Sequence, residues 1–221
     1  VPPKPTPAAL SRFGLSWIGS NGLNQRLRIP IAGCQVGRSH GNILFPEDPY
    51  TSPLHASLLV REGRLYIRDE GSVSGVLASV QQELIAAGTQ FSAGNHLFRY
   101  AGAIEPTPHP AGRPVVYGAP LPQAIYLVEE LLVGCRSGRA VVTSGPLLTI
   151  GSALCDLAYP SDDSLAPRHC EVTPSPTGAI LRDLSGSSGT FVQLATGGER
   201  PLNPGDRFRI GEHILQVELV S

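Results

Sequence analysis

Asp183-Leu-Ser-Gly-Ser-Ser-Gly-Thr-Phe-Val192 has a counterpart 114 positions earlier, Asp69-Glu-Gly-Ser-Val-Ser-Gly75. Outward from this pair, the same offset relates Gly37 to Gly151 and His55 to His169. C-terminal to it the offset becomes 117, relating Gly88 to Gly205, Phe91 to Phe208, Gly94 to Gly211 and His96 to His213. One constant offset followed by a second is the signature of two copies of one fold that differ by three residues in a loop. The copies run from Ser11 to Gly102 and from Gln123 to Ser221. Residues 1–10 and 103–122, both rich in proline, read as a tether and as a semi-rigid linker between two contiguous domains at 11–102 and 123–221.

Each copy reads as short strands. Leu27 and Ile29 alternate with Arg26 and Arg28 in the period of two expected of a half-buried strand. Ala56-Ser-Leu-Leu-Val60 and Leu65-Tyr-Ile-Arg68 flank Glu62-Gly63 as a hairpin, and the strand after Cys170 pairs in the same way with Ala179-Ile-Leu-Arg182. His96–Tyr100 and His213–Leu219 read as closing strands. One helix-like stretch, Ser79–Ala87, falls where the offset changes. Glycine (25) and proline (21) punctuate the 221 residues, so the fold class expected is all-β, two tandem sandwiches.

Composition narrows the function. The formal net charge is −1 and no run of Lys or Arg occurs, so the basic footprint of a nucleic-acid-binding protein is missing. All basic residues except Lys4 are arginine, a skew that fits codon bias in a bacterial genome better than a phosphate-binding task. No apolar run is long enough for a membrane-spanning helix, and the opening segment is not a signal peptide. A chain without methionine is expected to be processed or part of something longer, where a membrane anchor or a further domain would lie. Cys34, Cys135, Cys155 and Cys170 lack the C-x-x-C spacing of a zinc or redox site. They are expected as free thiols in a reducing, cytoplasmic compartment, although an even number leaves two disulfides open. No cofactor loop or metal cluster is legible. Ser164, Asp163 and His169 make an imaginable hydrolase triad, but no nucleophile elbow surrounds Ser164. Gly186-Ser-Ser-Gly189 lacks the lysine and helix of a phosphate loop and reads as a β-turn.

In order and spacing, Thr149-Ile-Gly-Ser152, Ala166-Pro-Arg-His169, Asp183–Val192 and Leu202-Asn-Pro-Gly-Asp206 resemble the forkhead-associated (FHA) family. Val36-Gly-Arg38, Ser52-Pro-Leu-His55 and Asp69–Gly75 resemble the same family in more diverged form. The resemblance implies non-catalytic sandwiches of about eleven strands with binding loops at one end, many members of which bind phosphothreonine peptides. It implies that Arg38 offers a guanidinium fork to a phosphate and Ser52 a hydroxyl. Ser74 stands where the family has the asparagine that holds the peptide backbone, and Val73 where it has a threonine. Gly37, His55 and Gly75, with His169 and Gly189 in the second copy, are implied as structural supports of the loops. In the second copy the site is degenerate: Ser152 replaces the arginine, Ala166 the serine, and Ser187 and Ser188 the threonine and asparagine. Without the arginine a dianion has no bidentate anchor.

Two readings follow. In one, the first domain reads a phosphothreonine on a protein partner in a signalling complex and the second supports it. In the other, both sandwiches are a phosphorylation-independent scaffold, for example in a secretion apparatus. An enzyme is not expected from this segment.

Overall fold

Glu62 and Gly63 both adopt positive φ, 49° and 71°, the geometry of a two-residue type I′ turn that matches the twist of the strands it joins. Such tight connections dominate the chain. The computed structural model describes residues 9–19, 22–104, 110–118 and 125–220, and every regular element among them is a strand. In chain order these are β1 (Leu10–Ile18), β2 (Asn24–Pro30), β3 (Cys34–Gly37), β4 (Ile43–Leu44), β5 (Ala56–Arg61), β6 (Arg64–Asp69) and β7 (Val76–Val80). Then come β8 (Gln82–Ile85), β9 (Gln90–Ala93) and β10 (His96–Ala103). The second repeat supplies β11 (Tyr126–Leu132), β12 (Arg136–Thr143), β13 (Leu148–Gly151), β14 (Leu157–Ala158), β15 (Cys170–Ser175), β16 (Gly178–Asp183) and β17 (Thr190–Gln193). Last are β18 (Glu199–Leu202), β19 (Arg207–Ile210) and β20 (His213–Leu219). The fold is all-β, as the turn spacing and alternation implied. No helix among the described residues is long and apolar enough to cross a membrane. All four cysteines are free thiols, with Cys34 and Cys170 buried.

The two units do not follow the repeat boundaries. Unit 1 gathers Val1–Ser79 with Gln193–Ser221, and unit 2 is Val80–Val192. Unit 1 packs a sheet ordered β7-β19-β20-β1-β2 against one ordered β18-β6-β5-β3-β4. Unit 2 packs β12-β11-β10-β9-β17 against β14-β13-β15-β16-β8. Each sandwich is thus built from seven strands of one repeat and the last three of the other. β1 pairs with β20, Leu15 opposite Val217, just as β11 pairs with β10, Val128 opposite Tyr100. The contiguous domains expected at 11–102 and 123–221 are replaced by sandwiches that each use both repeats.

The reason lies at Ser79–Ala87, which is extended where the sequence suggested a helix. Gln81 alone separates β7 from β8. Two Cα steps reach roughly 7 Å, less than the roughly 10 Å between packed sheets of one sandwich. Ser79-Val-Gln-Gln82 also has no glycine, proline or asparagine to turn the chain. The strand runs on, and β8 pairs with β16 of unit 2, Leu84 opposite Ile180. Unit 1, left without its own final strands, takes β18–β20 through the five-residue connection Leu194–Gly198, where the three-residue difference between the repeats resides.

The proline-rich segment has a corresponding role. The Ile104 N–H donates to the Ile125 carbonyl at 2.9 Å, and Ala103 faces Tyr126 across β10 and β11. The segment expected as an inter-domain linker therefore leaves and rejoins one sheet of unit 2. Residues 105–109 and 119–122 of it lie outside the described residues, as do residues 1–8 of the expected tether.

The cores report the same division. In unit 1 Phe13, Leu15, Leu58 and Ile67 are buried with Phe208, Ile210 and Leu215. In unit 2 Leu148, Ile150 and Val172 are buried with Phe91 and Phe98. Truncating a buried phenylalanine costs about 3–5 kcal/mol. Phe208→Ala is expected to destabilise the unit that holds Arg38, and Phe91→Ala the unit that holds His169. Hydrogen exchange resolved by segment checks this, and protection lost instead along the mutated residue's own repeat would refute the crossed arrangement.

Candidate functional site

The loops that end one face of unit 1 are held by close backbone approach. A Cβ added at Gly37 would lie 2.2 Å from the Pro53 carbonyl oxygen, so only glycine lets β3 run against the 52–54 loop. The Arg38 N–H donates to the Ser52 carbonyl at 2.9 Å, and the Ser39 and His40 N–H groups donate to the Pro53 carbonyl at 3.2 and 2.8 Å. Arg38 and Ser52 are neighbours by main chain.

His55 is fully buried and ties this loop to the next. Its Nδ1 accepts the Ser52 N–H at 3.1 Å, which makes Nε2 the protonated nitrogen, and Nε2 donates to the Gly75 carbonyl at 3.0 Å. Gly75 sits at φ 74°, a conformation that disfavours a side chain. Buried Asp69 shapes the intervening turn by accepting the Gly71 N–H at 3.1 Å and the Ser72 hydroxyl. The histidine thus ties the two loops together from inside the sandwich.

The polar groups at the mouth have definite hydrogen-bond states. Ser52 Oγ accepts the Val73 N–H at 3.0 Å, which leaves its own proton for an outside acceptor. Ser74 Oγ donates to the Tyr50 carbonyl at 2.5 Å, which leaves it only lone pairs to offer. Tyr50 is held in turn by its N–H to Asp48 Oδ1 at 2.8 Å. Arg38 is exposed, and its guanidinium makes no hydrogen bond or ion pair among the described residues. The main-chain ladder therefore brings Arg38, Ser52 and Ser74 onto three tied loops, with one free cation and one free hydroxyl proton.

Unit 2 repeats the scaffold and changes the chemistry. His169 Nδ1 accepts the Ala166 N–H at 3.2 Å, and its Nε2 donates to the Gly189 carbonyl at 3.0 Å. Gly189 sits at φ 83°, and a Cβ on Gly151 would lie 2.3 Å from the Pro167 carbonyl oxygen. The Ser152 N–H donates to the Ala166 carbonyl at 3.0 Å, in the register of Arg38 and Ser52. Ser187 and Ser188 are exposed on the last loop. Ser152, Ala166, Ser187 and Ser188, at the positions of the candidate site, together carry no charge. With both ring nitrogens of His169 taken by main chain and Ser164 donating to Asp162 at 2.5 Å, the imagined triad does not form.

The contacts of a second pair of histidines, His96 and His213, were not legible in the sequence because their partners lie in the other repeat. His213 stacks on Phe45 with centroids 3.8 Å apart and faces Asp48 at 3.9 Å in unit 1. His96 stacks near Tyr159 at 3.9 Å, its Nδ1 2.6 Å from Glu130 and its Nε2 2.8 Å from Asp162, in unit 2. The signal was present as paired offsets, 114 for Asp48 with Asp162 and 117 for the histidines, but it becomes a contact only after the strand exchange. These clusters fasten β20 and β10 to their adopted sandwiches.

Burial is the main cause that holds the His55 imidazole below the ordinary histidine value of 6.5, opposed by the Gly75 carbonyl and the Asp69 and Asp48 carboxylates. The folded unit keeps the ring neutral. Its contribution to stability is complete above 6.5 and is lost as the pH falls, because the unfolded chain takes up a proton that the folded one resists. His213 is depressed by burial in the same direction and adds to the slope. Urea unfolding of unit 1 is expected at lower midpoints at about pH 5.5 than at about pH 7.5, with a shallower dependence in His55→Gln. Equal slopes in the two proteins would contradict the neutral buttress.

Residues 148–211 match the family model described as the FHA domain. No curated protein matches the chain. The match begins at β13 in unit 2 and ends just beyond β19 in unit 1, so one family sequence is shared between two sandwiches. FHA domains are protein–protein recognition modules, and residues 148–211 are similar in sequence to that family.

Proposed function

We infer that the protein is an interaction module in which unit 1 binds a phosphothreonine peptide while unit 2 serves as a phosphate-independent support. The observation that carries this reading is the state of Ser52. Its oxygen is occupied by the Val73 N–H and its proton is uncommitted, beside the main chain of an exposed arginine without a partner among the described residues. Arg38 supplies the fork and the fixed charge for a dianionic phosphate, and the Ser52 hydroxyl donates to one of its oxygens. Ser74 replaces a two-group amide clamp with one acceptor, so the peptide main chain is held by an N–H to Ser74 Oγ alone. That loss fits a weak, partner-assisted contact.

For unit 2 the uncharged Ser152 and Ala166 favour the scaffold reading, in which the loops of this sandwich engage protein without phosphate. Gly151, His169 and Gly189 support the loop shape in either case.

A degenerate phosphothreonine library titrated against the full chain by fluorescence polarisation tests the proposal. Saturable binding is expected, abolished by phosphatase. Hydrogen bonds to charged groups contribute about 1.5–3 kcal/mol, so Ser52→Ala is expected to weaken binding by roughly 10- to 100-fold, and Arg38→Ala to remove it. Binding by the Arg38→Ala protein equal to that of the parent would exclude unit 1 as the phosphate site, and binding insensitive to phosphatase would assign both units to a scaffold.

A further inference from the structure

Unit 1 has a cavity that phosphate recognition does not use. It measures about 330 Å³ and is walled by Trp17, Gln25, Leu44, Phe45, Glu47 and His213, with Asp48 beside them. His213 covers one side of Phe45 with centroids 3.8 Å apart, and Trp17 stands at 89° to the Phe45 ring at 6.3 Å. No lysine or arginine is among the described residues that line it, and burial holds the His213 imidazole below its ordinary value, so the walls carry negative charge only. The Asp48 carboxylate is committed to the Tyr50 and Glu212 N–H groups and the Thr51 hydroxyl. Glu47 is exposed and makes no hydrogen bond or ion pair among the described residues. Aromatic rings beside an uncommitted carboxylate suit a cation.

The other repeat shows which cation. At the offset of 114, Gln25 corresponds to Arg139, Leu44 to Ala158, Phe45 to Tyr159 and Asp48 to Asp162. The strands agree, since Leu44 faces Gly37 across β3 and β4 as Ala158 faces Gly151 across β13 and β14. In unit 2 the Arg139 guanidinium lies over the Tyr159 ring, 4.7 Å from its centroid, and donates to the Ala158 carbonyl. His96 packs on Tyr159 at 3.9 Å, as His213 does on Phe45. Unit 2 therefore fills this frame with an arginine of its own chain.

Unit 1 has Gln25 in place of that arginine, and the cavity lies beside it. Two further differences favour a cation from outside. Trp17, opposite Gln25 across β1 and β2, adds a second ring, and Glu47 adds a carboxylate where the second repeat has Ser161.

We propose that this cavity takes an arginine side chain from a protein partner, its guanidinium against Phe45 and Trp17 and its charge met by Glu47. Arginine suits the walls better than lysine, because its planar, weakly hydrated head stacks on a ring while its edge donates to a carboxylate. The site uses neither Arg38 nor Ser52 and does not rest on the phosphate reading.

Trp17 is the only tryptophan of the chain, so tryptophan emission reports on this cavity alone. The test is a titration of the full chain, followed by that emission, with unphosphorylated acetyl-Gly-Arg-Gly-amide and with its lysine and citrulline counterparts. Citrulline has the shape of arginine without the charge. A saturable change is expected with the arginine peptide, with binding about fivefold weaker for the citrulline peptide and weaker also for the lysine peptide. Glu47→Gln, at an exposed position, is expected to remove most of the difference between the arginine and citrulline peptides. Gln25→Arg restores the arrangement of unit 2 and is expected to shift the emission before any peptide is added and to block binding. No saturable change with the arginine peptide, equal affinity for its citrulline counterpart, or parental binding by both variants overturns the site. Equal affinity for the lysine peptide overturns the assignment to arginine. The phosphate site, tested with phosphopeptides and Arg38→Ala, stands or falls separately.

Discussion

A single residue between two strands governs the architecture. Gln81 is all that separates β7 from β8, and a chain that cannot turn there cannot return to its own sandwich. Three strands of the first repeat are committed to unit 2, and unit 1 is completed by the equivalent three of the second. The buried aspartate of each repeat marks the crossing. The Asp183 N–H donates to the Gln81 carbonyl at 2.9 Å in unit 2, and the Asp69 N–H donates to the Gly198 carbonyl at 3.1 Å in unit 1. Short connections under constraint are a known route to strand exchange between like folds. Here both partners of the exchange belong to one polypeptide.

The exchange makes each sandwich depend on both repeats. Phe208 and Ile210 fill the core of the unit whose loops carry Arg38 and Ser52, more than 150 positions away in the chain. His213 on Phe45, and His96 between Glu130 and Asp162, are contacts of the same kind. A substitution in the second repeat can therefore act on the first repeat's site through stability alone, without touching ligand.

Within the loops, shape and chemistry have separated. Gly37 with Gly151, His55 with His169 and Gly75 with Gly189 perform the same steric and hydrogen-bonding tasks in both units, because β3, the histidine loop and the turn before β7 or β17 must meet in the same way. The side chains that face outward carry no such obligation. Arg38 and Ser52 have become Ser152 and Ala166, and Val73 has become Ser187, without disturbing the ladder beneath. A rigid scaffold with free choice at its surface loops is how one fold serves different partners.

Much of this was legible in the sequence by itself. The alternation at Leu27 and Ile29, the Glu62-Gly63 turn and the two offsets determined an all-β fold in two copies, since strand period and turn chemistry are local properties. Gly37, His55, Gly75, His169 and Gly189 were singled out only through the resemblance of their motifs to a known family. Only the tertiary structure decided which strands share a sandwich. Pairing depends on the reach of a one-residue connection in space, which the repeat pattern does not encode, and so 103–122 read as a linker and Ser79–Ala87 as helix-like. The donor state of Ser52 and the committed proton of Ser74 were likewise hidden, because each depends on a partner brought within about 3 Å by a separate loop.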